Sequence, residues 1–212
     1  MSVADQLRLV RERVERAGRN PDDVTIVAVT KAFGPDVCRQ AMDAGLKNLG
    51  ENRVQEALRK MDEVEGARWH LIGHLQTNKV RVIAGRFVLL QSIDSRRVAE
   101  AVAAVDSAQP VLVEVNVARE KQKTGVDAAE APALIDEVAE MLDLQGLMAM
   151  GPASGDPTPA FEELRRLRDD AQLRLGKALP ILSMGMSGDF EAAVKAGSTM
   201  LRLGQVLFGP RP

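Results

Sequence analysis

Residues 24–31 read VTIVAVTK, a nearly unbroken apolar run that ends in a lysine. Such a run is typical of a strand whose two faces are both covered, as in a parallel sheet. A helix is predicted over residues 35–44, because Pro35 suits a first helical turn and Gly45 suits a stop. The stretch therefore predicts a strand followed by a helix that crosses over the sheet.

The same alternation continues along the chain. Further strands are predicted near residue 49 and over residues 69–72, 87–90, 111–115, 147–150, 181–184 and 200–203. Further helices are predicted over residues 3–17, 54–64, 78–84, 95–106, 128–142, 159–175 and 189–196. Eight strands, each but the last clearly followed by a helix, predict an α/β fold with a single (β/α)8 TIM barrel over residues 1–212 and an additional N-terminal helix. A doubly wound open sheet is the alternative.

Composition excludes several classes of protein. The 212 residues are 45% hydrophobic and 27% charged with a net charge of -2, so neither a nucleic acid nor a membrane is expected as a partner. No apolar run approaches the ~20 residues of a membrane span, and the charged first helix does not resemble a signal peptide. Cys38 is the only cysteine and there are two histidines, so we expect a cytoplasmic protein without a disulfide or a metal site.

In such barrels the active site forms at the C-terminal ends of the strands. The polar residues at the predicted strand ends are Lys31, Glu51, Asn52, His74, Gln91, Ser92, Asn116, Ser187, Arg202 and Gly204. Lys31 ends an apolar strand, where desolvation would favour a neutral amine that can form a Schiff base with an aldehyde. A solvated lysine is the commoner fate of any single lysine at a strand end.

Two strand-to-helix junctions have a structural and a functional interpretation. Asn52 could cap the following helix, with Gln55 completing a capping box, or contact a ligand. Ser187 could cap the helix after the seventh strand, and the free N–H groups at that helix start could bind an anion. Gly204 would let the backbone approach a ligand closely, and the loops after strands seven and eight are the usual phosphate site of this barrel.

Arg202 interrupts the apolar strand Met-Leu-Arg-Leu. A guanidinium inside a barrel needs a partner, since an uncompensated buried charge costs several kcal/mol. A carboxylate or an acceptor atom of a ligand would each serve.

Several blocks of the chain resemble the YggS/PROSC family of pyridoxal-phosphate-binding proteins of vitamin B6 homeostasis. The matching blocks are VAVTK ending at Lys31, LGENRVQE at 49–56, WHLIGHLQTNK at 69–79, VLVEVN at 111–116, KTGV at 123–126 and LSMGMSGDFEAAVKAGSTMLRLG at 182–204. The resemblance implies a barrel like the N-terminal domain of alanine racemase, with pyridoxal 5'-phosphate as the cofactor.

The resemblance also implies roles for three residues around the cofactor ring. Lys31 matches the lysine that carries the cofactor as a Schiff base. Asn52 matches a pocket residue of the Gly-Glu-Asn motif, and Arg202 matches the arginine that faces the pyridine nitrogen.

Three further positions match the phosphate end of the cofactor site. Ser187 matches a phosphate contact in the Met-Gly-Met-Ser motif, and Gly204 matches a backbone that binds the phosphate. Gln205 stands where many relatives have Thr or Ser, and the sequence leaves open whether it contacts the phosphate through its side chain or its backbone.

Three functions are compatible with these residues. The favoured one is a binding protein that holds pyridoxal phosphate on Lys31 without turnover, as a monomer, and delivers it to apo enzymes that depend on it. The second is an amino-acid racemase, which needs acid and base groups on opposite faces of the ring. The chain has no tyrosine, so Cys38 or His74 would have to serve. The third is a Schiff-base aldolase acting on a sugar phosphate, which does not explain Arg202 as well.

Overall fold

The centre of the protein is a closed barrel of eight parallel strands. A computed structural model describes residues 1–120 and 122–210. The strands are β1 Thr25–Val29, β2 Asn48–Glu51, β3 Arg68–Leu71, β4 Leu89–Ile93, β5 Pro110–Asn116, β6 Val126–Asp127, β7 Asp143–Met148, β8 Ile181–Ser183 and β9 Met200–Leu203. Their spatial order is β4-β3-β2-β1-β9-β8-β7-β5, and pairing of β4 with β5 closes the ring. The short β6 pairs with the end of β5.

Helices surround the barrel and connect successive strands. They are α1 Val3–Arg16, α2 Pro35–Asp43, α3 Val54–Met61, α4 Val80–Ile83, α5 Arg96–Ala103, α6 Ala131–Met141, α7 Thr158–Leu175, α8 Phe190–Lys195 and α9 Gln205–Phe208. Short 3-10 turns lie at Pro21–Asp23 and Thr77–Lys79. The additional helix α1 begins with a capping box between Ser2 and Asp5 and buries Val10 and Val14.

The predicted barrel with its N-terminal helix is confirmed, and the differences lie at element ends. The strand predicted at 147–150 is β7, which starts at Asp143, and the strand predicted at 87–90 is β4, which ends at Ile93. The early part of β7 carries the polar residues Asp143 and Gln145, so an apolar pattern finds only its second half. The two-residue β6 and the one-turn α9 are too short for a periodicity to reveal.

The protein has two apolar layers. The larger one fills the space between the outside of the barrel and the helices. The smaller one fills the barrel interior and consists of Val27, Leu89, Leu112, Met148 and Met200. The interior is tight, because a Cβ added at Gly50 would lie 2.9 Å from Val27 Cγ1. Across residues 1–120 and 122–210, none of the helices has the combined length and apolarity that a bilayer crossing requires.

Candidate ligand-binding site

A cavity of about 300 Å³, here called the mouth cavity, opens at the C-terminal ends of the strands. It is lined by Val29, Lys31, Phe33, Asn52, Ile72, Met148, Met150, Met186, Ser187, Gly188, Arg202, Gly204 and Gln205. All six residues predicted to bind a ligand therefore meet at one cavity. They come from the ends of β1, β2 and β9 and from the loop after β8, which the barrel brings together although they are far apart in sequence.

Lys31 lies two residues beyond the end of β1 and is partly buried. Val29 and Phe33 line the same cavity on either side of it in sequence. Ile72 and the three methionines add apolar surface, so the amine shares its cavity with few polar side chains. Such an apolar pocket with a few converging polar groups is typical of a small-molecule site.

Arg202 lies at the floor of the mouth cavity and is 4% exposed. Its Nη1 donates to the carbonyl oxygen and to Oγ of Ser183, both at 2.7 Å, and its Nη2 donates to the carbonyl oxygen of Ala149 at 2.8 Å. Burial lowers the pKa of the guanidinium to about 10, opposed by the charges of Glu114 and Asp189. The side chain is therefore a cation at neutral pH whose hydrogen bonds go to neutral acceptors.

A series of hydrogen bonds, here called the Arg202–Asn48 network, runs from Arg202 through the barrel interior to the partly buried Asn48. Ser183 Oγ donates to Gln91 Oε1 at 2.6 Å, and Gln91 Nε2 lies 3.1 Å from His70 Nδ1. His70 Nε2 lies 3.1 Å from Asn48 Oδ1 at the other end of the barrel. If His70 is neutral with its proton on Nε2, each group donates to the next one from Arg202 to Asn48, and every donor meets an acceptor. Burial and the nearby charge of Arg68 lower the pKa of His70 to about 4, in agreement with that state.

Ser187 joins the two loops where a phosphate site was expected. Its Oγ accepts a hydrogen bond from the N–H of Val206 at 3.1 Å, within the first turn of α9. The expectation that Ser187 caps the helix after its own strand is wrong. Asp189 is the N-cap residue of α8, and its Oδ1 accepts from the N–H of Met186 at 2.6 Å. The N–H groups of Asp189 and Phe190 at the start of α8 donate instead to the carbonyl oxygen of Met186, at 3.1 and 2.9 Å.

Gly204 precedes α9 and packs closely against β1. A Cβ added at Gly204 would lie 3.2 Å from the carbonyl oxygen of Val29. The glycine thus has a packing reason besides any approach to a ligand. Within α9 the N–H groups of Leu207 and Phe208 both donate to the carbonyl oxygen of Gly204 at 2.9 Å, and that of Val206 donates to Ser187 Oγ, so the N–H of Gln205 is the one that this turn does not use.

Asn52 lines the mouth cavity but does not cap α3. The N-cap residue is Arg53, and α3 has no side-chain cap, so the predicted capping box of Asn52 and Gln55 is wrong. The backbone of Asn52 instead lies against the segment that follows β3, since a Cβ added at Gly73 would lie 2.4 Å from the carbonyl oxygen of Asn52. Asn52 thus lies one residue before the N-cap and lines the cavity.

Other polar residues at the strand ends do not line the mouth cavity. Ser92 Oγ donates to the carbonyl oxygen of Gly73 at 2.6 Å. The Nδ2 group of Asn116 donates to the carbonyl oxygen of Glu120 at 3.0 Å. His74 is exposed, with Nδ1 3.0 Å from Asp94 Oδ2.

The two candidate racemase groups do not reach the cavity. Cys38 lies fully buried on α2, and His74 faces Asp94 outside the lining. Burial raises the pKa of the Cys38 thiol, which makes it a poor proton donor or acceptor near neutral pH. In residues 1–120 and 122–210 there is no group of three or more His, Cys, Asp or Glu side chains that could hold a metal ion.

Lys60 is a buried charged residue that the sequence analysis did not identify. It lies on α3 behind Lys31, and its Nζ contacts Glu51, Glu56 and the carbonyl oxygen of Thr30. A signal was present, because Lys60 occupies the same helix face as the buried Val54 and Ala57 at intervals of three residues. A lysine at an apolar position of a helix indicates a buried ion pair.

Comparison with known proteins gives a consistent set of relatives. Residues 3–212 match the family described as alanine racemase, N-terminal domain. A pyridoxal phosphate homeostasis protein of Aquifex aeolicus is 39% identical over 226 residues, covering 100% of this chain and 99% of that protein. The protein of the same name from Escherichia coli K12 is 36% identical over 232 residues, covering 99% of this chain and 97% of that one.

Solved structures agree with the sequence comparison. PipY of Synechococcus elongatus with pyridoxal phosphate bound superposes with a TM-score of 0.84 at 29% identity, covering 98% of this chain and 100% of that chain. The same protein without pyridoxal phosphate gives a TM-score of 0.86 at 30% identity over the same shares. Alanine racemase from Corynebacterium glutamicum shares the fold, with a TM-score of 0.80 at 18% identity over 99% of this chain and 61% of that chain.

Proposed function

The chain belongs to the family of pyridoxal phosphate homeostasis proteins with the alanine racemase N-terminal-domain fold, and from this membership we propose that it binds pyridoxal 5'-phosphate in the mouth cavity. The observation that carries the proposal is the meeting of Lys31, Arg202 and the Ser187 turn at one cavity. The cavity of about 300 Å³ fits a small phosphorylated ring, since small-molecule sites begin at about that volume.

Lys31 is the residue that we propose to hold the cofactor covalently. Its neutral amine adds to the aldehyde carbon, and a Schiff base forms as water leaves with the carbonyl oxygen. The apolar lining from Val29, Phe33 and Ile72 supports this role, because it favours a neutral amine over an ammonium. Asn52, at the same edge of the cavity, is proposed as a polar contact to the ring.

The phosphate is proposed to lie at the turn that joins the loops after β8 and β9. Ser187 and the backbone at Gly204 and Gln205 line the cavity there. The N–H of Gln205, at the start of α9, is proposed as a donor, and in barrels of this type phosphates commonly bind at these two loops. Gln205 would contribute through its backbone.

Arg202 is proposed to face the pyridine nitrogen. Its guanidinium is a cation at neutral pH, and its hydrogen bonds to Ser183 and Ala149 hold it at the cavity floor. A cation at this place disfavours a second positive charge on the nitrogen. When bound, pyridoxal phosphate supplies an electron-withdrawing ring, and an unprotonated ring stabilises a carbanion poorly.

We therefore infer a protein that stores or delivers the cofactor without turnover, with apo enzymes that depend on pyridoxal phosphate as recipients. In this proposal residues 1–212 form one cofactor-binding domain that acts as a cytoplasmic monomer. Racemisation remains the second candidate, because the fold is that of alanine racemase. The purified protein is expected to show no racemisation of L-alanine. Substantial turnover that Lys31→Ala abolishes would favour the racemase.

A spectral titration tests the binding site. Wild-type protein with pyridoxal phosphate is expected to gain a visible absorbance band that borohydride removes, and Lys31→Ala is expected to lack it. Lys79→Ala is the matched control, because Lys79 lies outside the mouth cavity and should keep the band. An equal band in Lys31→Ala, or no band in the wild type, would contradict the proposal.

A further inference from the structure

The backbone around Lys31 has an unusual conformation. β1 ends at Val29, and Ala32 adopts φ 67°, a left-handed conformation that residues other than glycine rarely adopt. Such a residue persists only where its surroundings hold it in place. Thr30, Lys31 and Ala32 therefore form a short segment whose geometry is imposed by neighbouring groups.

Side chains hold both peptide groups that meet at the Lys31 Cα. On one side, Lys60 Nζ donates to the carbonyl oxygen of Thr30 at 2.8 Å. On the other side, the N–H of Ala32 donates to Glu56 Oε1 at 2.7 Å. The carbonyl oxygen of Thr30 also accepts from the N–H of Phe33 at 3.0 Å, which closes a turn over Lys31. The two side-chain hydrogen bonds add to this turn and restrict the direction in which the Lys31 side chain leaves the backbone.

The groups that make these bonds are themselves linked in a buried cluster. Lys60 Nζ lies 2.7 Å from Glu51 Oε1 and 2.8 Å from Glu56 Oε1, and Thr30 Oγ1 donates to Glu51 Oε1 at 2.6 Å. The Lys60 side chain is 5% exposed and that of Glu51 0%, whereas Glu56 is 28% exposed. Burial opposes the charge of Lys60, but its bonds to Glu51 and Glu56 outweigh burial and raise its pKa.

A buried ion pair is often no more stabilising than apolar side chains of the same shape. Stability alone therefore does not account for a charged cluster at this position. What distinguishes the cluster is that two of its members bond the backbone on either side of one lysine, which lines the mouth cavity.

We propose that Lys60 and Glu56 are positioning residues, which hold the peptide groups flanking Lys31 so that its amine points into the mouth cavity. The inference rests on the proposed function, because it explains how Lys31 would meet an aldehyde bound there. Neither residue lines the cavity, so both act through the backbone of Lys31.

Glu56 is a better residue for the test than Lys60, because its side chain is partly exposed and the protein should still fold when it is replaced. Glu56→Ala removes the acceptor for the Ala32 N–H, whereas Glu56→Gln keeps an oxygen at the same place. Affinity is measured for pyridoxal phosphate and for pyridoxine 5'-phosphate, which has no aldehyde and cannot react with Lys31. Glu56→Ala is expected to weaken binding of pyridoxal phosphate about tenfold, the effect of one hydrogen bond to a charged group. Its binding of pyridoxine 5'-phosphate should stay unchanged.

Two further variants and one further measurement complete the test. Glu56→Gln should restore most of the affinity, and Glu100→Ala, which removes an exposed partner of Arg96, should change neither affinity. In the protein without ligand, trace acetylation read by mass spectrometry gives the labelling of Lys31 relative to Lys79. This ratio should rise severalfold in Glu56→Ala, because the amine no longer stays in the cavity, and should not rise in Glu56→Gln.

The outcomes separate the two proposals. The positioning role would be overturned if Glu56→Ala lowered the affinities for the two ligands equally. It would also be overturned if neither the affinity for pyridoxal phosphate nor the labelling ratio changed in this variant. A wild type that gains no borohydride-stable adduct would instead contradict the Schiff base on Lys31. In that case the labelling ratio alone decides whether Glu56 positions the amine.

Discussion

Lys60 and Arg202 are both buried cations near the mouth cavity, but their surroundings differ. Lys60 lies between two carboxylates, which raise its pKa. Arg202 donates to two backbone carbonyls and one hydroxyl, and burial lowers its pKa to about 10. The charge of Lys60 is thus compensated by its own hydrogen-bonding partners, whereas the charge of Arg202 lies next to a cavity that it helps to line.

This difference separates a supporting cluster from a ligand-binding group. A cation paired with carboxylates can still donate to the backbone, as Lys60 does at the carbonyl oxygen of Thr30, but its charge attracts a further ligand only weakly. A cation bonded to neutral acceptors keeps its charge available to an acceptor atom that enters the cavity. The neutral members of the Arg202–Asn48 network, from Ser183 to Asn48, support Arg202 without compensating its charge.

Breaking the ion-pair cluster of Lys60, Glu51 and Glu56 should reduce the stability of the protein more than any other change considered. Lys60→Met leaves Glu51 buried without its cation and should lower the free energy of unfolding by about 3–5 kcal/mol. Urea unfolding measures the loss. The double variant Lys60→Met with Glu51→Gln removes both charges and should recover at least half of that loss. A double variant as unstable as the single one would show that Lys60 and Glu51 do not compensate each other.

The next largest effect on stability concerns His70, in the hydrogen-bond series from Arg202 to Asn48, and it depends on pH. His70 has a pKa of about 4 in the folded protein, below the value of about 6.5 for an unfolded chain. Below pH ~6.5 the unfolded state binds a proton that the folded state does not, so stability falls by about 1.4 kcal/mol per pH unit down to about pH 4. His70→Gln, which can keep a donor and an acceptor, should lose this part of the slope in urea unfolding between pH 7.5 and 5.

His74→Gln is the matched control for that measurement, since His74 is exposed and takes no part in the hydrogen bonds from Arg202 to Asn48. It should keep the slope that His70 causes. Identical slopes in the wild type and His70→Gln would mean that His70 is not held neutral, and the donor direction from Arg202 to Asn48 would then be wrong.

The smallest effect should come from the contact between Ser183 and Arg202 in the Arg202–Asn48 network. Ser183→Ala removes one acceptor of Arg202 and the donor to Gln91, and it should cost about 1–2 kcal/mol of unfolding free energy. It should also weaken binding of pyridoxal phosphate, because Arg202 is held less firmly. Isothermal titration measures that affinity.

Ser198→Ala provides a comparison. The Ser198 hydroxyl is as buried as that of Ser183 and donates to the carbonyl oxygen of Met184 at 2.7 Å, but it takes no part in the hydrogen bonds from Arg202 to Asn48. This variant should lower stability without changing the affinity. If the two variants weaken the affinity equally, the Arg202–Asn48 network has no particular role at Arg202.

Much of the fold was accessible from the sequence, because eight apolar strands alternate with helical patterns in a fixed order. Some of the cavity-lining residues were accessible too, since Lys31, Asn52, Ser187 and Arg202 follow strands or interrupt them at the mouth, whereas the apolar lining residues such as Ile72 and Met150 were not predicted. Family resemblance supplied the roles that spacing alone left open.

The features that sequence reasoning missed depend on contacts between distant segments. Ser187 bonds the N–H of Val206, which lies 19 residues away on a one-turn helix. Lys60 bonds the backbone of Thr30, 30 residues away in sequence, and this contact exists only once α3 packs against β2, the neighbour of β1 in the barrel. Local patterns give no pairing of this kind, although a lysine on the buried face of α3 indicates that a partner exists.

Lys31 and Arg202 are proposed to hold the same ligand from two sides of the mouth cavity. The test of this arrangement is a structure of the protein crystallised with pyridoxal phosphate. We expect density that joins the Lys31 amine to the ligand, with the ring nitrogen towards Arg202 and the phosphate at Ser187 and Gly204. A ligand with its phosphate against Arg202, or one bound outside the mouth cavity, would contradict it.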